Sequence, residues 1–504
     1  MKICLVRPPS IVNPISYIAS LTPPIGLAYI AAALREAGHE VVIIDGIGEK
    51  PLQSVPIAYN LVLRGLTFAE ICERIPKDAS LIGVSGMFSS EWIHIREMIN
   101  QISAAHPSIP MVAGGEHFTA EPAVSMKQCP GLSVCVLGEG EETIVEVAAA
   151  LEKRGDLKLV KGLALRDGDG VLHTGERPRI RSVDAIAKPA WDLIPLKAYW
   201  ENSLSYGVNR GMSMPMLASR GCPYQCTFCS NPVMWTTRWI ARTPALVLDE
   251  IEDYVKRFGI SNVDFYDLTA IVKRDWILEF SKGLVARKLG ITWQLPSGTR
   301  SEAIDAEVSK WLYASGCRNM NYAPESGSAA SLERMKKKVS IPKLTASLRD
   351  AVKAGLNVKI NIIIGMPDDT HLDTWKTLWF LVKMSWHGAH DVSVGAFSPY
   401  PGSELYARLV KEGKITHDDE YFSKLAYVDI TETVSYTNYI SSRWLRIYNW
   451  LGFAVFYGSN YLFRPARFLK TLRNLKTGHH ESRGEMALSG ILSRMKLAPP
   501  VQKV

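Results

Sequence analysis

The sequence predicts an α/β protein whose first 150 residues form a doubly wound parallel sheet, with further domains behind it. Short, unbroken apolar segments alternate there with segments of helical periodicity, which is typical of parallel strands covered by helices on both faces. The length of 504 residues exceeds one ordinary domain, and a hydrophobic fraction of 47% is ample for several packed cores.

The predicted strands of this sheet are KICLVRPP, EVVIIDG, LIGVSG, PMVAGGEH and SVCVLGEG, and the helix PPIGLAYIAAALREAGHE joins the first two. Ligands of such sheets bind beyond the carboxyl ends of the strands. Glycine-bearing groups follow three strands there: Ser85-Gly86, Gly114-Gly115-Glu116-His117 and Gly138-Glu139-Gly140-Glu141. They would let the backbone approach a bulky polar ligand, although the same glycines could simply close tight turns. The GxGxxG motif of nicotinamide dinucleotide sites is absent.

The eight cysteines are dispersed and form no disulfide framework, and the N-terminus MKICLVRPP lacks the apolar run of a signal peptide. We therefore expect a cytoplasmic protein, in whose reducing environment clustered cysteines bind metal or do redox chemistry. The net charge of +8 is uneven, because residues 441–504 carry eleven Lys/Arg and two Asp/Glu. The rest of the chain is close to neutral, and no nucleic-acid partner is predicted.

Three cysteines lie within the segment SRGCPYQCTFCSNP: Cys222, Cys226 and Cys229. A structural zinc site needs a fourth ligand, yet the next cysteine, Cys317, is far along the chain and no histidine lies close. A thioredoxin-like pair would leave Cys222 unexplained. Three cysteines that hold three irons of a [4Fe–4S] cluster leave the fourth iron open to a small molecule, and an open metal position indicates catalysis.

This segment, with Phe228 before its last cysteine, resembles the signature of the radical S-adenosylmethionine (SAM) enzymes. Four later segments resemble further motifs of that family: VDFYDLTA, YAPESGS, VKINIIIGMPDDT and FSPYPGSELY. The resemblance implies a partial (β/α)6 TIM-type barrel over residues 206–410, with its active site at the carboxyl ends of the strands. It implies that Cys222, Cys226 and Cys229 bind the cluster and that the following residues contact SAM: Phe228, Asp267, Glu325, Ser326, Gly327, Asn361 and Gly365.

The segments PPIGLAYIAAALREAGHEVVIIDG, VAGGEHFTAEP and LGEGEET are similar to the cobalamin-binding domain that precedes the barrel in one radical SAM subfamily. The linker KPAWDLIPLKAY is typical of the same subfamily. The Asp-x-His-x-x-Gly loop that often supplies a histidine to cobalt is absent, and we expect His117 to line the corrin tail or cap a helix. The resemblance implies these cobalamin contacts: Pro23, Ser85, Gly86, Gly114, Gly115, His117, Gly138, Glu139 and Gly140.

The predicted domains are a Rossmann-like cobalamin domain (1–150), a linker (151–205), the barrel (206–410) and a mainly helical, basic and aromatic C-terminal region (411–504). In that last region WLRIYNWLGFAVFYGSNYLF is too interrupted by polar residues to span a bilayer. The following RPARFLKTLRNLK predicts a basic amphipathic helix. These segments would lie on an anionic membrane surface or an apolar substrate, or would pack their aromatic residues on the barrel.

The resemblance implies an enzyme that uses a [4Fe–4S] cluster, SAM and cobalamin to generate a 5′-deoxyadenosyl radical and methylate an unactivated carbon. The expected substrate is a hydrophobic small molecule such as a lipid, terpenoid or tetrapyrrole, and the expected electron donor is of the flavodoxin or ferredoxin type. An oxidative cyclase or another carbon–carbon bond-forming enzyme is the alternative reaction. A cobalamin or redox sensor would not need the SAM motifs, and a methylthiotransferase would need a second cysteine triplet. No catalytic residue is predicted beyond the cofactor contacts.

Overall fold

The computed structural model describes residues 1–12, 21–57, 61–425 and 433–494. Its first part contains the strands β1 (Lys2–Arg7), β2 (Ser10–Val12), β3 (Glu40–Asp45), β4 (Ser54–Ile57), β5 (Leu61–Arg64), β6 (Leu81–Ser85), β7 (Met111–Gly114), β8 (Val134–Val136), β9 (Leu163–Asp167) and β10 (Gly170–His173). Its helices are α1 (Ile25–Glu36), α2 (Phe68–Arg74), α3 (Trp92–Ala105), α4 (Glu116–Ala120), α5 (Pro122–Gln128), α6 (Glu141–Glu152) and α7 (Leu196–Glu201).

The first sheet has the strand order β10-β9-β8-β7-β6-β1-β3, in which β3, β1, β6, β7 and β8 are parallel. Alternate residues of β1 enter different cores: Ile3 and Leu5 pack with α1 and α6, and Cys4 and Val6 with α2 and α3. The predicted doubly wound sheet is thus confirmed. The antiparallel hairpin β9–β10 extends the sheet into the residues predicted as a linker. A small antiparallel sheet, β2-β5-β4, lies beside it.

The second part contains the strands β11 (Ser213–Met216), β12 (Ser219–Arg220), β13 (Ile240–Ala241), β14 (Asn262–Phe265), β15 (Thr292–Thr299), β16 (Cys317–Glu325), β17 (Asn357–Ile364) and β18 (Asp391–Ala396). Its helices are α8 (Asn231–Trp235), α9 (Pro244–Phe258), α10 (Arg274–Arg287), α11 (Ala306–Ala314), α12 (Ala329–Arg334), α13 (Ile341–Lys353), α14 (His371–His387), α15 (Glu404–Lys411) and α16 (Asp419–Lys424). Three helices follow: α17 (Ser442–Phe463), α18 (Pro465–Thr477) and α19 (Arg483–Arg494).

Six parallel strands, in the order β11-β14-β15-β16-β17-β18, form the second sheet and confirm the predicted partial barrel. In β17 the side chains of Val358, Ile360 and Ile362 belong to the apolar core beneath the outer helices. Since successive side chains of a strand point to opposite faces, Lys359 and Asn361 lie on the inner face of the barrel.

The helix α17 packs along α14 and β18, and its buried face includes Leu445, Tyr448 and Phe456. Gly452 allows this approach, because a Cβ atom there would lie 3.0 Å from Val394. Part of the aromatic segment therefore packs on the barrel, which was one of the alternatives predicted for it. In the described ranges no helix is long and apolar enough to cross a membrane.

The segment Glu481–Gly484, at the start of α19, closes the amino end of the barrel. Asn319 of β16 donates through Nδ2 to the Glu481 carbonyl at 2.8 Å, and the Gly484 amide donates to Asp391 of β18 at 3.1 Å. The guanidinium of Arg483 donates to the Tyr206 carbonyl. These contacts occupy the amino ends of the strands, at the side of the barrel opposite the cysteine loop.

Candidate active site

The cysteine loop follows β12 at the carboxyl side of the barrel and ends at α8. Gly221 opens it with φ of +81°, and a Cβ atom there would lie 2.3 Å from the Arg238 carbonyl oxygen. The thiols of Cys222, Cys226 and Cys229 are partly exposed and unpaired by disulfides. The structure thus presents all three predicted ligands on one short loop.

Among the described residues, no three Cys, His, Asp or Glu side chains lie close enough to hold a single metal ion. Ligands of one zinc ion sit about 2.3 Å from it and crowd together. The three thiolates of the cysteine loop are the ligand type that iron–sulfur clusters take, and they could hold three irons of one cluster. Burial raises the pKa of the Cys229 thiol to about 12, and cluster binding would therefore release protons from the loop.

Two cationic side chains cover the aromatic rings of this loop. The Arg300 guanidinium lies 3.9 Å from the centre of the Tyr224 ring, and the Lys337 ammonium lies 5.8 Å from the Phe228 ring. Lys337 also donates to the carboxylate of Glu325 at 2.9 Å. Two predicted SAM contacts, Phe228 and Glu325, are thus joined through a lysine that sequence reasoning missed.

The backbone of Glu325 has φ of +68°, which is uncommon for any residue other than glycine. The pairing of β16 with β17 shifts register between Tyr322 and Glu325. Such irregularities at a strand end redirect a side chain. Here the carboxylate is directed toward Lys337 and the cysteine loop, which fits a ligand contact at this position.

Ser326 and Gly327 hold the end of β16 against α14. The Gly327 amide donates to the Thr377 hydroxyl at 3.1 Å, and that hydroxyl lies 3.0 Å from the Ser326 hydroxyl. A Cβ atom at Gly327 would lie 2.3 Å from the Cβ of Phe380. These contacts explain both residues as packing, and their predicted contact with SAM stays a prediction.

Asp267 is buried and braces the strand that leads into the cysteine loop. Its carboxylate accepts from the Ala218 amide at 3.1 Å and from the Ser219 hydroxyl at 2.5 Å. Burial raises the pKa of Asp267 to about 6. Both oxygens of Asp267 hold residues that precede the cysteine loop, and its predicted contact with SAM stays a prediction.

The two predicted residues around β17 differ in what surrounds them. Asn361 is partly buried on the inner face, and its side-chain oxygen has no hydrogen-bond partner among the described residues. A buried acceptor of this kind fits a polar group of a ligand. Gly365 lies under α17, where a Cβ atom would be 2.6 Å from Leu445.

In the first sheet, the loops after β6 and β7 contact each other closely. The Gly86 amide donates to the Gly114 carbonyl at 2.8 Å, and a Cβ atom at Gly115, with φ of +115°, would lie 2.5 Å from the Gly86 oxygen. Loop packing thus accounts for Gly86 and Gly115. Of the other predicted cobalamin residues, Pro23 is buried directly before α1, and Ser85 is half-buried at the end of β6.

His117 is enclosed in the core of the first sheet. Its ring is 0% exposed, stacks on Trp92 at 4.4 Å, and forms hydrogen bonds with Ser89 at Nδ1 and Ser125 at Nε2. Burial lowers the pKa of His117 to about 3, so the ring is neutral. These contacts account for His117 as a core residue, and its predicted place beside the corrin tail stays a prediction.

The loop after β8 connects the first sheet to the cysteine loop through an ion network of Glu139, Glu141, Arg179 and Arg220. Arg220 donates to Glu139 at 3.0 Å and to Glu141 at 2.5 Å, and Arg179 donates to Glu139 at 2.8 Å. Burial alone would raise the pKa of Glu139, but the two arginines reverse this and lower it. The structure thus commits Glu139, a predicted cobalamin residue, to holding the arginine that precedes Gly221.

The neighbouring glycines of this loop serve packing as well. A Cβ atom at Gly140 would lie 2.9 Å from Ile30 of α1, and Gly138, with φ of +70°, lies near the Met234 carbonyl of α8. Glu116, at the start of α4, accepts a hydrogen bond from Ser230 beside the last cysteine. The carboxyl ends of the two parallel sheets therefore face each other across the cysteine loop.

Comparisons with known proteins agree with this arrangement. The B12 binding domain family matches residues 15–148, and the radical SAM superfamily matches residues 216–381. An uncharacterized methyltransferase of Pyrococcus horikoshii, PH0819, is 30% identical over 415 residues, which are 81% of this chain and 82% of that protein. The anaerobic magnesium-protoporphyrin IX monomethyl ester cyclase of Cereibacter sphaeroides is 25% identical over 412 residues, 80% of this chain and 63% of that protein.

One solved structure similar to this fold is that of OxsB, a cobalamin-dependent SAM radical enzyme with aqua-cobalamin and SAM bound. Its TM-score is 0.69 at 16% identity, and the alignment covers 100% of this chain and 76% of that one. At this identity the likeness concerns the fold alone.

Proposed function

Because the chain belongs to the radical SAM enzymes that carry a cobalamin-binding domain, we propose that it transfers a methyl group to an unactivated carbon. Its cofactors are those predicted from the sequence: a [4Fe–4S] cluster, SAM and cobalamin. The main support for the proposal is that the carboxyl ends of the strands in the two parallel sheets face each other across the cysteine loop. A corrin bound at one edge and SAM at the other would share one enclosed space.

When bound, the reduced cluster supplies the electron that cleaves SAM, and methylcobalamin supplies the methyl group. The protein's own residues hold and enclose these groups. Cys222, Cys226 and Cys229 would bind three irons, while Glu325 and Asn361 would offer oxygen acceptors to SAM. The ion network of Glu139, Glu141, Arg179 and Arg220 fixes the start of the cysteine loop against the first sheet, and so fixes the spacing between the two cofactor sites.

The proposed substrate is a largely apolar small molecule such as a tetrapyrrole, lipid or terpenoid, and the proposed electron donor is a flavodoxin or ferredoxin. The name of the cyclase relative gives its substrate as a tetrapyrrole, which supports this class. That relative also supports a second candidate reaction, oxidative cyclisation without methylation. Similarity to the named methyltransferase is greater and covers more of the relative's length, and this favours methyl transfer.

The test is anaerobic reconstitution with iron, sulfide and hydroxocobalamin, followed by incubation with SAM that carries a trideuterated methyl group. We expect 5′-deoxyadenosine and a trideuterated product from a substrate panel. The variant with Cys222, Cys226 and Cys229 all changed to Ala should lose the iron and both products. The control is Cys72→Ala, which replaces a half-exposed cysteine of α2.

Full iron and SAM cleavage in the triple variant would overturn the cluster assignment. Formation of 5′-deoxyadenosine with a product that has lost hydrogen and gained no deuterium would replace methyl transfer by cyclisation.

A further inference from the structure

The five exposed tryptophans of the described chain all lie on α14 and α17, with exposed fractions between 47% and 60%. We call these residues the tryptophan surface: Trp375, Trp379, Trp386, Trp444 and Trp450. The two helices run side by side in the same direction, because Trp375 contacts Tyr448 and Trp386 contacts Phe463. On α17 the two contacts, at Tyr448 and Phe463, are fifteen residues apart, or about 22 Å of helix at 1.5 Å per residue, so the surface is extended.

The charges on this surface have one sign. Lys376 and Lys383 of α14 and Arg443 and Arg446 of α17 are exposed. The two helices contain a single acid, Asp373, which is buried and accepts from Arg334 at 3.0 Å. Exposed tryptophan among basic side chains is the composition of helices at the interface of an anionic membrane.

The next helix, α18, buries two polar side chains and exposes apolar ones. Thr471 and Asn474 are buried and bonded to Glu485 at 3.0 and 3.1 Å. Phe468, Leu469 and Leu472 are exposed, between 41% and 66%. α18 begins beside the tryptophan surface, since Arg464 donates to the Trp386 carbonyl at 2.7 Å. Lys470, Arg473 and Lys476 are exposed on the same helix. Exposed apolar side chains among basic ones fit a helix that lies at the interface of an anionic membrane.

We propose that the tryptophan surface and the exposed face of α18 bind an anionic lipid bilayer, lying in its interface without crossing it. A symmetric dimer through this face would bring the four basic side chains of one copy against those of another, with no exposed acid on α14 or α17 to compensate. An anionic lipid surface instead complements the charge and accepts the indole rings at the level of the headgroups. The proposal does not depend on which reaction the enzyme catalyses.

The same surface starts beside the carboxyl end of the barrel. Leu445 of α17 packs over Gly365, in the loop that follows β17. A bilayer at this position would lie next to the carboxyl ends of the strands, where the cofactor residues are. An apolar substrate could then pass from the lipid to the active site with little exposure to water.

The experiment is flotation of the full-length protein with vesicles of phosphatidylcholine containing phosphatidylglycerol, and with phosphatidylcholine alone. Each basic residue near an anionic surface contributes about fivefold in affinity. We therefore expect the quadruple variant K376E/K383E/R443E/R446E to bind anionic vesicles more than about a hundredfold more weakly than the natural sequence. The control K77E/K153E/K158E reverses three exposed lysines of the first part of the chain and should bind like the natural sequence.

A second variant, W379Q/W450Q/L469Q, keeps the charges and should lose at least about tenfold in binding to the same vesicles. The changes are at exposed positions, and circular dichroism with urea unfolding will show that the fold is kept. Three results would overturn the proposal: no flotation of the natural sequence at low salt, equal flotation of all variants, or a dimer in sedimentation velocity that W379Q/W450Q/L469Q converts to monomer.

Discussion

Replacement of Arg220 by Met tests whether the ion network joins the first sheet to the cysteine loop. The side chains of Arg220 and Glu139 are 6% and 5% exposed, so the charges are almost fully desolvated. Without Arg220, Glu139 keeps Arg179 and the Ile180 amide, whereas Glu141 loses its arginine. Removal of one partner of a buried ion pair costs about 3–5 kcal/mol, and we expect about 3 kcal/mol because one of the two acids stays paired.

The assay combines urea unfolding with iron and sulfide analysis after anaerobic reconstitution. Glu141→Gln should lower the free energy of unfolding by about 1–2 kcal/mol. The double variant R220M/E141Q should lose less than the sum of the two single variants, by at least about 1 kcal/mol, because the two side chains interact. Arg35→Met, from an exposed pair with Asp192 at 2.7 Å, is the control and should change stability by less than about 1 kcal/mol.

We also expect R220M to bind less iron, since Arg220 fixes the residue before Gly221 and Cys222. An R220M protein with unchanged urea midpoint and full cluster content would refute the network as a positioning device. Strict additivity of R220M and E141Q would equally remove the argument that the pair is coupled.

Three further predictions concern single features. Gly221→Ala should destabilise by several kcal/mol in urea unfolding, because a Cβ atom would clash with the Arg238 oxygen at 2.3 Å, whereas Gly290→Ala, with φ of +70° and open space, should cost only about 1 kcal/mol. Burial raises the pKa of Asp264 from 3.8 to about 6, so the folded state holds the carboxyl proton more tightly than the unfolded state does. The contribution of Asp264 to the free energy of unfolding therefore falls by about 3 kcal/mol as pH rises from about 4 to about 6. Urea unfolding of the natural protein and of Asp264→Asn at pH 4 and pH 7 should show this loss as a change in the difference between the two proteins, and an equal difference at both pH values would contradict it. A chain that ends at Gly478 should exchange the amide hydrogens of β16 and β18 faster, because it lacks the contacts of Glu481 and Gly484 with Asn319 and Asp391; unchanged protection would show that the segment does not stabilise the barrel.

The sequence was sufficient to predict the first sheet because its strands are locally encoded, whereas the barrel was predicted from the resemblance to radical SAM enzymes. The segments KICLVRPP and LIGVSG have unbroken apolar centres and form β1 and β6 at nearly the predicted positions. The hairpin β9–β10 was missed because its antiparallel pairing to β8 depends on a contact that no local pattern reveals. The cysteine loop could also be predicted from the sequence, because the spacing of its three cysteines indicates a cluster site.

The roles of single residues at strand ends were harder to predict because their partners lie far along the chain. Position 327 requires glycine because a Cβ atom there would clash with Phe380. The partner of Glu139, Arg220, lies 81 residues away along the chain. His117 follows two glycines in a ligand-like setting, yet its neighbours are Trp92 and Ser125. Periodicity likewise predicted a basic amphipathic helix for α18, but it could not show that Thr471 and Asn474 are the residues that the helix buries.

The segment Glu481–Gly484 has a consequence for the order in which the protein is made. The amino end of the barrel receives hydrogen-bond partners from a segment that lies 162 residues after Asn319 and 93 residues after Asp391 along the chain. During synthesis from the N-terminus, the strands β11 to β18 leave the ribosome well before that segment does. The nascent barrel therefore waits with Asn319 and Asp391 without these partners, and its amino end is completed only after the segment Glu481–Gly484 has also left the ribosome.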